Sequence, residues 1–125
     1  IQRLRSINSL SSDSCINYIH KNVSPIIQYI NTHYKDPLSL DLLAKLFYMS
    51  PYYLCKVFKK STGFTFIEYL NQLRVKEAQT LLRDSGLNVT EVAEKVGFGS
   101  VSQFGRVFKE ISGVSPLKYR KQTSF

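Results

Sequence analysis

The sequence predicts an all-α chain of about seven helices, and three observations carry that prediction. Three of the four prolines (Pro25, Pro51 and Pro116) follow a serine. A serine caps orphan N–H groups, and proline suits the first helical position. Gly63, Gly86 and Gly113 stand where helical apolar stretches stop, as C′ glycines do. No β-rich alternating run appears between them.

Residues 1–22 mix Ser and Asn with scattered apolar residues and read as a linker or the trailing edge of an upstream domain. A short helical piece is expected at Ser14–His20, and Arg3 and Arg5 are candidates for phosphate contact or for a solvated tail. Residues 23–122 read as the folded domain and 123–125 as a frayed tail. Ser24-Pro25 opens a helix with the apolar face Ile26, Ile27, Tyr29, Ile30 and Tyr34, stopped at Asp36-Pro37. His33, near its end, has no ligand partner in the sequence.

Ser39 starts a second helix with Leu42, Leu43, Leu46 and Phe47 as its apolar positions. Ser50-Pro51 starts a third, running to Thr62, with Leu54, Val57 and Phe58 inward and Tyr52, Cys55, Lys56 and Lys59 outward. A long helix follows from Phe64, with Phe66, Tyr69, Leu70, Leu73, Ala78, Leu81 and Leu82 at helical spacing and Gly86 closing it. It spans roughly 25–30 Å at 1.5 Å per residue. Asn88 and Glu91 have capping-box spacing, as do Ser100 and Gln103. The fifth helix turns Val92, Ala93 and Val96 inward, and the sixth turns Phe104, Val107, Phe108 and Ile111 inward. Ser115-Pro116 opens a last turn with Leu117 and Tyr119 as anchors.

The chain contains an internal repeat. Ala44 aligns with Ala93 and Met49 with Phe98 at an offset of 49, whereas Val57-Phe58-Lys59 and Gly63 align with Val107-Phe108-Lys109 and Gly113 at an offset of 50. One residue, near Gly99, is inserted in the second turn. Each copy is a short helix, a tight turn and a longer helix with basic residues outside, the form of a helix-turn-helix. The units cover about residues 39–63 and 88–113, with the linker helix at about 64–84 between them.

In such a unit the first helix braces the second, whose N-terminal residues reach base edges in the major groove. Lys and Arg donate to guanine, Ser to several bases, and apolar atoms meet thymine methyls. Lys59, Lys60 and Lys109 suit phosphates, which position without specifying sequence, and so do Ser50 and Ser100 at the helix starts. Successive major grooves lie about 34 Å apart in straight B-DNA. The linker helix is shorter, so two heads on one chain imply a bent site or tilted recognition helices. Their outward residues differ, so the two half-sites are expected to differ as well.

Composition agrees. Seventeen Lys and Arg against nine Asp and Glu leave +8, which favours a polyanionic partner. No apolar run approaches a bilayer span. Cys15 and Cys55 lack metal-ligand or redox spacing and read as reduced thiols. With two His, two Cys and no catalytic motif, the chain does not read as an enzyme, and nothing points to a metal or cofactor. Membrane-surface binding would leave the repeat without a use, and no RNA-binding module signature accompanies Tyr52 and Tyr53.

With these residues in hand, residues 24–121 resemble the C-terminal DNA-binding domain of the AraC/XylS family of bacterial transcription regulators. The first set carrying the resemblance is Ala44, Met49-Ser50-Pro51, Tyr53-Leu54, Phe58-Lys59-Lys60, Thr62-Gly63, Tyr69 and Leu73-Arg74. The second is Val92-Ala93, Gly97-Phe98, Phe104, Arg106-Val107-Phe108-Lys109, Gly113 and Ser115 to Arg120. The resemblance implies two helix-turn-helix units on a long helix, promoter binding in the bacterial cytoplasm, activation through RNA polymerase and a separate sensor domain. It also implies base-facing roles for Tyr52, Cys55 and Lys56 in the third helix, and for Val101, Ser102, Gly105 and Arg106 in the sixth.

Two residues depart from the pattern. Tyr48 stands in the first turn where the second copy has Gly97. If that position takes positive φ, a tyrosine there costs about 1 kcal/mol or more. Gly105 offers no side chain to a base, which leaves backbone approach or shape to the sixth helix. Arg106 has two openings: a phosphate, or Glu110 four residues on.

Overall fold

The structure, a computed structural model, describes residues 23–123. The expectations for residues 1–22 (linker, Ser14–His20 helix, Arg3, Arg5, Cys15) and for Ser124 and Phe125 lie outside the described residues. Among the described residues there are seven helices and no strand: α1 Ser24–His33, α2 Leu40–Leu46, α3 Pro51–Thr62, α4 Phe66–Asp84, α5 Val89–Val96, α6 Val101–Ser112 and α7 Pro116–Thr123. They fall into two compact units, residues 23–32 with 38–66 and residues 33–37 with 67–123.

The first unit buries Ile26 and Ile30 of α1, Leu43 and Ala44 of α2, Leu54, Val57 and Phe58 of α3, and Phe66. Phe58 and Phe66 meet edge to face at 6.5 Å, as do Tyr29 and Phe47 at 6.2 Å. Two expectations are corrected here. The first helical bond runs from Ile27 N–H to the Val23 carbonyl at 3.0 Å, so α1 begins at Ser24, one residue earlier than a serine cap would place it. Leu42 and Leu46 are exposed, because the inward arc of α2 runs through Leu43 and Ala44 towards the half-buried cap residue Phe47, and Leu42 and Leu46 fall outside that arc on a 100°-per-residue wheel.

The second unit is built on Val75, Ala78 and Leu82 of α4, Val92, Ala93 and Val96 of α5, and Phe98, Phe104, Val107 and Phe108. A run of rings crosses it: Phe98 to Phe104 at 5.2 Å, Phe104 to Phe108 at 5.6 Å, and Phe108 to Tyr119 at 5.5 Å. Tyr119 is therefore an anchor of α7, but Leu117 is not; it is 53% exposed and Pro116 is buried in its place. The α7 helix runs through Thr123, whose Oγ1 donates to the Tyr119 carbonyl at 3.0 Å.

The long helix starts at Phe66, two residues later than the sequence suggests, and its inward face includes Val75 and Arg74, which the apolar count passes over. Its C-terminus is not closed by glycine, since Gly86 does not take positive φ. Instead Ser85 donates to the Leu81 carbonyl from both N (3.0 Å) and Oγ (2.6 Å). Arg120 of α7 donates to the carbonyls of Leu82 (Nε, 2.9 Å) and Ser85 (Nη2, 3.3 Å), a cation placed on the negative end of the helix.

Residues 33–37 are held into the second unit by Arg74. Its Nε donates to the Tyr34 carbonyl at 2.7 Å and its Nη2 to the Asp36 carbonyl at 2.9 Å, while the guanidinium lies 5.7 Å from the Phe98 ring centre. Arg74 is only 8% exposed, and burial pushes its pKa below the ordinary value. Burial also raises the Tyr34 phenol, as does Glu77, whose carboxylate accepts its hydroxyl at 3.5 Å.

Candidate nucleic-acid interface

Each unit holds one helix-turn-helix, α2 with α3 in the first and α5 with α6 in the second, and both turns are made the same way. In the first, Met49 N–H reaches the Ala44 carbonyl at 2.9 Å across Tyr48 at φ 58°. In the second, Phe98 N–H reaches the Ala93 carbonyl at 3.0 Å across Gly97 at φ 102°. These are left-handed closures that satisfy the last carbonyls of the bracing helix.

The second helix of each unit then starts on a serine cap. Ser50 Oγ accepts from Tyr53 N–H and Ser100 Oγ accepts from Gln103 N–H, both at 3.1 Å. The capping bond uses each hydroxyl as acceptor, so its O–H proton stays available to donate. Asn88 with Glu91 forms the reciprocal box at the head of α5, at 2.8 and 2.9 Å. Gly63 and Gly113 close α3 and α6 at φ 81° and 85°.

The caps fix where α3 and α6 begin, and the buried stripe of each helix decides which residues face out. On α3, Leu54, Val57 and Phe58 go inward, so Tyr52, Cys55 and Lys56, at i, i+3 and i+4, share an exposed face. Tyr52 is 74% exposed, and Lys56 Nζ stands 5.6 Å from its ring centre. Cys55 is an exposed free thiol. Lys59 and Lys60 are exposed in the last turn.

On α6, Phe104, Val107 and Phe108 go inward. Val101, Ser102 and Arg106 are exposed, and Gly105 lies half-buried in the turn between Ser102 and Arg106. Arg106 meets Glu110 at 3.7 Å with both side chains about two-thirds exposed (64% and 65%). Such a pair holds about 0.3–0.5 kcal/mol and gives way readily to another anion. Lys109 is exposed one turn further on.

Within each unit, the residues expected from the sequence thus come together on the outer face of its second helix. Sequence reasoning gave Arg74 and Arg120 no structural role of their own, yet Arg74 holds the backbone at Tyr34 and Asp36 and Arg120 holds the end of α4. A basic residue inside an apolar stripe is the signal for the first. The second has no local signal, because its acceptors lie 38 and 35 residues away. Among the described residues no helix is long and apolar enough to cross a membrane, and no group of three or more His, Cys, Asp or Glu is placed to hold a metal.

The fold has counterparts in known proteins. A family model for a helix-turn-helix domain, of AraC type, matches residues 43–122. The chain is 38% identical over 96 residues to the regulatory protein PocR of Salmonella typhimurium, covering 77% of this chain and 32% of that protein. It therefore spans about a third of that relative's length. Among solved structures, the C-terminal domain of AraT, a response regulator from Geobacillus stearothermophilus, superposes with a TM-score of 0.80 at 35% identity, covering 82% of this chain and 86% of that one. The DNA-binding domain of AdpA, a global transcriptional factor solved in complex with a target DNA, gives 0.77 at 30% identity, covering 80% and 90%. The chain belongs to the AraC-type helix-turn-helix family of transcription-regulator DNA-binding domains.

Proposed function

We propose that this chain binds double-stranded promoter DNA sequence-specifically by inserting α3 and α6 into successive major grooves. The observation that carries the reading is the duplicated unit. Two helices with the same caps and inward stripe each turn a polar, cationic face to solvent. In this reading Tyr52, Cys55 and Lys56 of α3 and Val101, Ser102, Gly105 and Arg106 of α6 face bases. Ser50, Lys59, Lys60, Ser100 and Lys109 hold phosphates. AdpA's DNA-binding domain, solved on a target DNA, supports the assignment of duplex DNA as ligand.

The physiological role follows from the same reading. The chain acts in the bacterial cytoplasm as the DNA-binding part of a longer regulator, an activator that contacts RNA polymerase and takes its signal from an upstream sensor domain. PocR, about three times the length of the matched segment, supports the longer architecture. No catalytic step is assigned to the chain.

The test is selection of bound duplexes from a random pool, followed by salt titrations on the winner and on a scrambled duplex. We expect an asymmetric site with two information blocks about one helical turn apart. Lys56→Ala and Arg106→Ala, both at exposed positions, should fold normally and lose about tenfold or more in affinity, each blurring a different block. A steep salt slope with no preferred sequence would leave only a phosphate-binding basic domain. Normal affinity in both folded variants would sink the site assignment.

A further inference from the structure

We infer that Gly105 is a specificity-determining position of α6, and that Val101 and Gly105 together admit the 5-methyl group of a thymine against the helix backbone. The inference rests on the groove-docking reading above and adds what α6 reads there. Gly105 is in the middle of a twelve-residue helix, where glycine is among the least favourable residues. A close neighbour would explain it, as close neighbours explain Gly97. Yet beyond the helix's own backbone and its sequence neighbours, no atom lies within 4 Å of where a Gly105 Cβ would stand. The fold leaves room for alanine, so packing does not require the missing side chain.

The surroundings say what the gap would accept. Val101 is the first residue of α6 and is 41% exposed, an apolar side chain one turn before Gly105. Helical Cα–Cβ bonds tilt toward the N-terminus, so a side chain at 105 would lean over Val101. With glycine there, the α6 backbone is left bare beside the exposed valine, a small open notch on the helix surface. Ser102 and Arg106, one position along on the same turns, border it with polar donors. In a major groove the apolar feature a notch of this size meets is the thymine 5-methyl, while neighbouring donors suit adjacent base edges or phosphate. The aligned positions of α3 are Pro51 and Cys55, and Cys55 carries a side chain, so the notch belongs to the second copy alone.

The test begins by assigning the α6 block of the selected site as the one blurred by Arg106→Ala. Each thymine in that block is then replaced by uracil, which removes only the methyl group, and Kd is measured for wild type and Gly105→Ala. For wild type, one replacement should weaken binding about fourfold, the worth of one buried methyl-sized group. Gly105→Ala should melt no lower than wild type, bind the thymine site about tenfold more weakly, and lose its sensitivity to that uracil. Wild-type affinity for Gly105→Ala, or indifference to uracil at every thymine while Arg106→Ala still weakens binding, overturns the inference but leaves groove docking intact. If Arg106→Ala and Lys56→Ala both bind normally, groove docking fails and the inference goes with it.

Discussion

The two turns perform one task with opposite residues. Both close by the same hydrogen bond and both hold a residue at positive φ, but one holds Tyr48 and the other Gly97. Their surroundings account for the difference. A Cβ on Gly97 would stand 2.8 Å from the Tyr34 carbonyl oxygen and 2.9 Å from that of Lys35, inside any real contact. Tyr48 is 96% exposed and nothing crowds its side chain. The second turn is roofed by residues 33–37 and the first is open to solvent. Left-handed backbone alone is a tolerable strain for a tyrosine, but left-handed backbone beneath a second strand of chain is not.

The comparison can be broken most directly at the roof. Gly97→Ala adds a left-handed penalty of about 1–2 kcal/mol to overpacking of about 1–3 kcal/mol against backbone that has little room to move. The expected loss, about 2–5 kcal/mol, should appear as weakened hydrogen-exchange protection across α5 and α6. Arg74→Ala attacks the same roof from the other side. It strands the Tyr34 and Asp36 carbonyls, whose charge-assisted bonds are worth about 1.5–3 kcal/mol each before relaxation and water recover part. A loss near 2 kcal/mol is expected in urea unfolding, and an unchanged midpoint would mean the roof is not what sets the second turn.

The outer faces differ in charge as well. Along α3 stand Lys56, Lys59 and Lys60 with no acid, whereas α6 carries Arg106, Lys109 and the acid Glu110, which already meets Arg106. If both helices dock on DNA, the first unit contributes more phosphate neutralisation. Replacing Lys59 and Lys60 together by Ala should lower the slope of log K against log salt by about 2 and cut affinity across all sequences. Lys109→Ala should lower it by about 1. Equal slopes for the two variants would show that the charge asymmetry does not reach the DNA.

Much of this was legible in the sequence because the signals are local. The caps at Ser50 and Ser100 (though not at Ser24), the Asn88–Glu91 box and the inward triplets Leu54, Val57, Phe58 and Phe104, Val107, Phe108 act within one or two turns, so spacing alone identifies them. The repeat alone aligns Tyr48 with Gly97 and so marks it as the turn residue. What was not legible depends on chain brought from far away. Arg74 reads locally as a polar interruption, and only residues 33–37 overhead explain its burial. Gly86 looks like a stop, but Arg120 and Ser85 do that work from the side. Leu42, Leu46 and Leu117 were misplaced for a related reason: short helices carry more apolar residues than they have inward positions, and periodicity cannot tell which arc the rest of the unit covers. The inward triplets also leave Tyr52, Cys55, Lys56, Val101, Ser102 and Arg106 exposed, with Gly105 half-buried among them.

The smallest effect tests the open turn itself. Tyr48→Gly removes a left-handed tyrosine and puts in its place the residue that the second copy uses. Relief of the backbone strain is worth about 1–2 kcal/mol, and the greater freedom of glycine in the unfolded chain takes back roughly 0.5–1 kcal/mol. Because the tyrosine side chain is almost wholly exposed, little burial is lost with it. The net expectation is a first unit more stable by up to about 1.5 kcal/mol, read as slower exchange of the α2 and α3 amides while those of α5 and α6 stay as they were. A destabilised first unit would mean that the Tyr48 ring holds the turn through contacts formed in solution, and that the two turns differ in how they are stabilised as well as in how much strain they carry.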